Sequence, residues 1–374
     1  VRLTLERGSR VVVKVGTTAL VGRDGTIEDA RLASLCDGIV TLRDDGIDTV
    51  LVSSGAIAAG IAPLGMNGRP VDIPSLQAAA AVGQGRLFTR YGRLLGDRGV
   101  TVAQLLLTRY DFMRRVHYLN ARNTLDRLLA LGALPIVNEN DTVAVDEIRF
   151  GDNDRLAALV ANLAGAALLV LLTDASGVHA QDPRRHPAAP VLDEIERITP
   201  EIERGAGGRG TEFSSGGMAS KIAAAWVATF SGAAVVVADA SEPNVLARVR
   251  AGERVGTYFH PHPTRLSARR LWIAFAQPPQ GTVVVDEGAR RAVIEGKRSL
   301  LAVGVVRVEG TFGAGDTVDV AGPAGRPFAR GLVRYGSDEL AGALGRTSAE
   351  LSGREVIHRD QLVVLSDDRG GEGP

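Results

Sequence analysis

Between Leu134 and Thr173 the sequence switches abruptly between wholly apolar and wholly polar segments, and few folds accommodate that. Leu134-Pro135-Ile136-Val137 reads as a short buried strand, and Asn138-Glu139-Asn140-Asp141 follows it without transition. A second polar cluster, Gly151-Asp152-Asn153-Asp154, opens an apolar helix over 155–163, and another buried strand covers 167–172. Apolar strands that end in polar turns and lead into helices are the pattern of an open parallel α/β sheet with helices on both faces. In such a sheet the residues just past the strands' carboxyl ends line the ligand crevice. Between Asn138 and Asp154 six acids (Glu139, Asp141, Asp146, Glu147, Asp152, Asp154) stand against one base, Arg149. Carboxylates at that density repel one another unless cations neutralise them. The crevice is therefore expected to receive something cationic or metal-bound.

Other strand ends carry chemistry of the opposite sign. A strand over 10–15 ends in Lys14-Val15-Gly16-Thr17-Thr18, which points an ammonium either into the crevice or, as an edge lysine, out to solvent. A helix over 28–44 is stopped by Gly46, and a strand over 49–52 then runs into Ser53-Ser54-Gly55-Ala56. That strand-to-helix turn exposes backbone N–H groups suited to a carboxylate or phosphate, or else Ser54 is an ordinary capping residue. A helix over 75–95 is expected to be interrupted at Gly83-Gln84-Gly85, where the glycines admit another backbone. A strand over 100–107 and a helix over 119–131 precede the acidic stretch, and the strand over 167–172 ends in Thr173-Asp174, which is either a turn that holds a nucleotide's base and ribose or merely a turn.

Residues 205–217 are glycine-rich and read as a mobile lid. Gly205 to Gly210 formally match G-x-G-x-x-G, but a polar run precedes them in place of the strand that a dinucleotide turn needs. The lid leads into Ser214-Ser215-Gly216-Gly217-Met218-Ala219-Ser220-Lys221, opening a helix to about residue 230. Glycines at a helix start allow a phosphate to approach free N–H groups, and Lys221, one turn inside, either reaches the same phosphate or faces solvent, its place after Gly-Gly at a helix start favouring the phosphate. A strand over 233–238 and a helix from Pro243 complete this part.

With 374 residues, two domains are expected. Lys plus Arg and Asp plus Glu are 43 each, a balance that argues against a nucleic-acid or membrane-surface role. The single cysteine, Cys36, sits at helical spacing with Leu32, Leu35 and Ile39 and reads as a core thiol in a reducing cytoplasm. No apolar run reaches membrane-spanning length and no signal-peptide pattern is seen. His260-Pro261-His262-Pro263 has the look of a ligand cluster, but its prolines and the arginines after it mark a linker. From Gly281 short Val-rich runs alternate with glycine and charged turns, a small β-rich domain. Between Gly281 and Leu365 it carries eleven basic and eleven acidic residues, which does not single out a polyanion partner. The expected division is a catalytic domain over 1–262, a linker over 263–280, a β-rich domain over 281–366 and a disordered tail over 367–374.

Two lysines facing acids, with neither a Ser-His-Asp set nor a metal-ligand cluster, suggest phosphoryl transfer, where the protein mainly positions reactants and stabilises spreading charge. The motifs Val11-Val12-Val13-Lys14-Val15-Gly16-Thr17-Thr18, Val52 to Gly60, Ile136-Val137-Asn138-Glu139-Asn140-Asp141, Gly151-Asp152-Asn153-Asp154 and Gly216-Gly217-Met218-x-x-Lys221 resemble those of the glutamate 5-kinases, of the amino-acid-kinase superfamily. The C-terminal part resembles the PUA domain that many of these kinases carry. The resemblance spans nearly the whole chain, and it implies ATP-dependent phosphorylation of the L-glutamate γ-carboxylate, the first step of proline biosynthesis. It implies that Lys14 and Lys221 neutralise the transferring group and that Asp154 holds them. Ser54, Asp141 and Asn153 would bind glutamate, Asp141 taking its α-ammonium. Thr173, Asp174 and Ser215, Gly216, Gly217, Met218, Ala219, Ser220 and Lys221 would bind ATP along with Lys14, with Mg2+ held through the phosphates. A homo-oligomer and inhibition by proline are further expectations from the resemblance, beside the cytoplasmic location that the lone cysteine suggests. The sequence departs from the family at Ser214-Ser215, where Gly-Thr is usual, and at Thr17-Thr18, where serines are frequent. A sister kinase with another acceptor would share the lysine logic, and the PUA-like part raises RNA binding or modification as a reading from another class.

Overall fold

A computed structural model of the chain describes residues 2–22, 26–143, 153–183, 186, 188–205, 217–263, 265–275, 279–344 and 355–365. The chain divides into two compact units, Val1–Arg265 and Leu266–Pro374.

The first unit is built on an eight-stranded sheet. Its strands are β1 (Arg10–Val15), β2 (Asp48–Val52), β3 (Val102–Leu107), β4 (Leu134–Glu139), β5 (Leu168–Thr173), β6 (Glu194–Ile195), β7 (Ala234–Asp239) and β8 (Thr257–Phe259), in the order β3-β4-β2-β1-β5-β7-β8-β6. All neighbours are parallel except β7 and β8. The central strand, β1, is buried from Val11 to Val15, which is why it opens on three consecutive valines rather than an alternation. Val12 is in register with Val50 of β2 and Leu169 of β5, and Lys14 with Val52 and Leu171. From β1 the chain passes to β2, on to the edge strand β3 and back to β4 between them, then crosses to β5 on the other side of β1. The strand order therefore reverses beside β1, the place where open α/β sheets form their crevice.

Cys36 lies fully buried on the Asp29–Asp44 helix, and burial pushes its thiol up to about 12, so it is core material and not a nucleophile. The Ile73–Gly96 helix starts on Asp72, whose side chain accepts from the Ser75 N–H at 2.9 Å. It runs unbroken through Gly83-Gln84-Gly85, where an interruption was expected. The reason is packing. A Cβ on Gly83 would fall on the Ala56 carbonyl oxygen, and one on Gly60 on that of Ala79. The long helix and the short Ala56–Ile61 helix thus meet backbone to backbone, and this contact offsets the ~1 kcal/mol that a helical glycine forfeits. The His260 to Pro263 segment is also tied down: His262 donates its N–H to Thr229 and stacks on Phe230 at 3.9 Å between ring centroids.

The second unit has a five-stranded sheet of β9 (Gly281–Val285), β10 (Val305–Gly310), β11 (Thr317–Ala321), β12 (Pro327–Leu332) and β13 (Leu362–Val364), in the order β10-β9-β11-β12-β13. Its core, including Val283, Val318, Phe328 and Leu340, is its own. Part of the stretch read as linker forms the helix Ala268–Phe275, where Leu271 and Ile273 are buried. Arg330 binds that helix to the sheet by donating to the Ala274 carbonyl at 2.6 Å while pairing with Asp319 at 2.7 Å. The tail over 367–374 and most of the 205–217 segment lie outside the described residues.

Candidate active site

Three charged side chains from three elements meet at the carboxyl end of β1. Lys14 is the penultimate residue of β1, Asp154 the first residue of the Asp154–Ala164 helix, and Lys221 lies in the first turn of the Met218–Ser231 helix. Lys14 Nζ stands 2.5 Å from Asp154 Oδ1 and Lys221 Nζ 3.0 Å from Asp154 Oδ2. All three are buried, Asp154 completely. That burial pushes the Asp154 carboxyl upward. The ammonium charges of Lys14 and Lys221, and the hydrogen bonds they donate, outweigh it and hold the carboxyl well below the usual carboxylate range. The helix start adds a favourable field for the anion. Ser220 Oγ also lies 2.9 Å from Asp154 Oδ2 and 2.8 Å from the Gly217 carbonyl, so one carboxylate organises the entire helix start.

Beside this triad β2 ends in Ser53-Ser54-Gly55. Gly55 takes φ 95°, a left-handed conformation that only glycine adopts readily, and turns the chain sharply into the Ala56–Ile61 helix. The turn buries Ser54 with its Oγ lacking any hydrogen-bond partner among the described residues. A buried hydroxyl is seldom left so in a folded protein. Ser53 is held by the phenol of fully buried Tyr91, 3.0 Å from its Oγ. Burial raises the Tyr91 phenol, which keeps it neutral.

Asn153 links this turn to the acidic strand end. Its Nδ2 donates to the Ser53 carbonyl and to Asn138 Oδ1, both at 2.6 Å, and Asn138 in turn donates to Gln84 Oε1 at 2.6 Å. Asp141 sits half-buried in the turn after β4, on the same edge of the sheet. At the end of β5 Thr173 is buried, with its Oγ1 donating to Asp174 Oδ1 at 3.1 Å, and Asp174 faces solvent. The Ala240 N–H donates to the Thr173 carbonyl and ties this turn to the end of β7. Gly217 caps the Met218–Ser231 helix, and Met218, Ala219 and Ser220 form its half-buried first turn. Ser215 and Gly216 lie outside the described residues, as do Asp146, Glu147, Asp152 and Arg149.

The described residues singled out from sequence thus all stand on the carboxyl edge of the sheet. Lys14, Lys221 and Asp154 are in direct contact, and Asn153 is bound to the backbone of the Ser54 turn. Sequence reasoning passed over Gln84, Asn138 and Tyr91 as members of the site. Asn138 had a signal, since it is the first polar residue after an apolar strand. Gln84 and Tyr91 come from a helix interior, where nothing local distinguishes them from surface and core positions.

The family model described as the amino acid kinase family matches residues 9–239. The chain belongs to the amino acid kinase family. A second model, the PUA domain, matches residues 281–353 of this amino acid kinase. The glutamate 5-kinase of Syntrophotalea carbinolica is 46% identical over 367 residues, covering 96% of this chain and 98% of that protein. The glutamate 5-kinase of Streptomyces coelicolor is 47% identical over 373 residues, covering 97% and 98%. Among solved structures, the UMP kinase of Bacillus anthracis aligns at TM-score 0.47 and 17% identity, over 68% of this chain and 96% of that one.

Proposed function

We propose that the chain transfers the γ-phosphoryl group of ATP to the side-chain carboxylate of L-glutamate, forming L-glutamyl 5-phosphate in the first step of proline biosynthesis. The observation that carries this reading is the buried Asp154 gripping two ammonium groups beside a turn with an unpaired serine hydroxyl. Full-length relatives named glutamate 5-kinase support the choice of acceptor.

Lys14 and Lys221 neutralise the equatorial oxygens of the phosphoryl group as its charge spreads, and Asp154 holds their geometry before substrate arrives. Donors fixed in advance, in a site that excludes water, need no reorganisation at the moment of transfer. The attacking group is already a carboxylate, so no general base is required. Ser54, Asn153 and Asp141 bind glutamate, with Asp141 taking the α-ammonium. Thr173, Asp174 and the Ser215 to Lys221 segment bind ATP. Among the described residues no group of three His, Cys, Asp or Glu side chains is placed to hold a metal. Mg2+ would be held through the nucleotide's phosphates and would supply charge neutralisation there. Assembly into a homo-oligomer, inhibition by proline and a cytoplasmic location belong to the same proposal; no helix of the described residues is long and apolar enough to cross a membrane.

ATP consumption measured with glutamate, aspartate, N-acetylglutamate and UMP, with hydroxylamine present to trap an acyl phosphate, tests the proposal. Hydroxamate is expected with glutamate alone. Turnover with another acceptor, and none with glutamate, contradicts it.

A further inference from the structure

We infer that Gln84 is a positioning residue for the phosphoryl acceptor, acting through Asn138 to present Asn153 Oδ1 as an acceptor towards the substrate's ammonium group. Gln84 touches none of the charged triad. It lies midway along the Ile73–Gly96 helix, beside Gly83, whose backbone packs on the Ala56 carbonyl, so its place relative to the Ser53-Ser54 turn is fixed by main-chain contact.

From there a run of carboxamides crosses the crevice in one direction. Gln84 Oε1 accepts from Asn138 Nδ2 at 2.6 Å. Asn138, buried on β4, gives its Oδ1 to two donors, the Glu139 N–H at 3.0 Å and Asn153 Nδ2 at 2.6 Å. Asn153 Nδ2 spends its second N–H on the Ser53 carbonyl at 2.6 Å. A carboxamide has one accepting end and one donating end, so fixing either end fixes the other. In Asn153 the donating end is fully used, which leaves Oδ1 as the atom that can meet a ligand. An oxygen at that point, on a side chain bonded to the backbone of the Ser53-Ser54 turn, suits a substrate with several N–H donors on a positive nitrogen. An N-acylated amino acid offers one N–H and no charge.

The backbone partners Glu139 N–H and Ser53 C=O hold two points of the run, and Gln84 holds the third. Without its oxygen a buried Asn138 N–H loses its acceptor. Turning Asn138 over would then set its NH2 group against the Glu139 N–H and the Asn153 NH2, donor against donor. Asn138 instead loosens, and Asn153 with it.

This inference rests on the proposed glutamate kinase activity and refines its acceptor site. The test is steady-state kinetics on the full chain with Gln84→Met, which keeps the length and removes the acceptor, and Gln84→Glu, which keeps an accepting oxygen. Gln84→Met is expected to raise KM for glutamate about tenfold, with kcat and KM for ATP within about twofold, and Gln84→Glu to bring most of that change back. Should Gln84→Met fail to fold, Gln84→Ala carries the same expectation. An active chain in which the acceptor-free variant keeps its KM for glutamate overturns the role of Gln84 alone. So does a parallel rise in KM for both substrates, or a failure of Gln84→Glu to restore binding. An unaltered chain inactive on glutamate overturns the activity and this inference together.

Discussion

A single oxygen, Ser54 Oγ, separates what stabilises this site from what it is for. Among the described residues it is buried with no partner, a state that costs about 1–3 kcal/mol for a hydroxyl withdrawn from water. Ser54→Ala removes the hydroxyl and that cost with it, so the variant is expected to unfold at the same temperature as the parent or a higher one. Its KM for glutamate should rise about tenfold, and calorimetry beside acceptor-dependent kinetics reads both. A lowered melting temperature would show that Ser54 is a structural residue. Asp154 behaves in the opposite way. Its folded-state carboxyl lies below the ordinary range because burial is outweighed by Lys14 and Lys221. Its pairing therefore contributes stability at every pH above about 4 and loses it only as acid titrates the group below that. Denaturant midpoints for the parent should carry no dependence from this group in the neutral range. Lys14, Asp154 and Lys221 were legible in the sequence because each is charged where an apolar strand ends or a helix begins. Gln84 was not, because its role comes from a helix face brought to the crevice by packing between distant segments.

Two helices joined by their glycines set the shape of the acceptor side. A methyl group on Gly83 would fall on the Ala56 carbonyl, and backbone cannot give way as a flexible side chain can. Gly83→Ala must force the Ile73–Gly96 helix away from the Ala56–Ile61 helix, a form of overpacking that typically costs about 1–3 kcal/mol. The same shift carries Gln84 and Tyr91 away from Asn138 and Ser53. The expected result is a destabilised protein whose KM for glutamate rises while its KM for ATP does not, measured by denaturant titration and two-substrate kinetics. Gly85, where a Cβ would meet nothing within 4 Å, should accept alanine without either effect. In the sequence, Gly83-Gln84-Gly85 reads as a break where another backbone could approach. The approach is real at Gly83 and the break is not, because composition signals where a helix is weak and only packing decides whether it is held. Strand positions were more legible: Arg10–Val15 has no polar residue between its ends except Lys14, so it read as a buried strand, with only the direction of the lysine left open.

At the scale of the whole chain, chemistry and β-rich unit occupy separate stretches. All described site residues lie in Val1–Arg265, and the core of Leu266–Pro374 is made from its own side chains. A chain ending at Arg265 is therefore expected to phosphorylate glutamate with kcat within about threefold of the full protein, as a unit with its own core should. A loss of more than about tenfold in a truncated chain that still unfolds cooperatively would assign the second unit a part in catalysis. The change to short Val-rich runs after residue 280 was legible as a change of fold. The helix Ala268–Phe275 was not, since its burial depends on Arg330 and the sheet formed later in the chain. Everything proposed for the active site requires that two ammonium groups, fixed by one buried carboxylate, stabilise a phosphoryl group in transfer, and Lys221→Ala tests this most directly. Its kcat for hydroxamate formation from glutamate should fall about 10²-fold or more with KM for glutamate close to that of the parent. An unchanged kcat with a raised KM would remove Lys221 from the chemistry and contradict the claim.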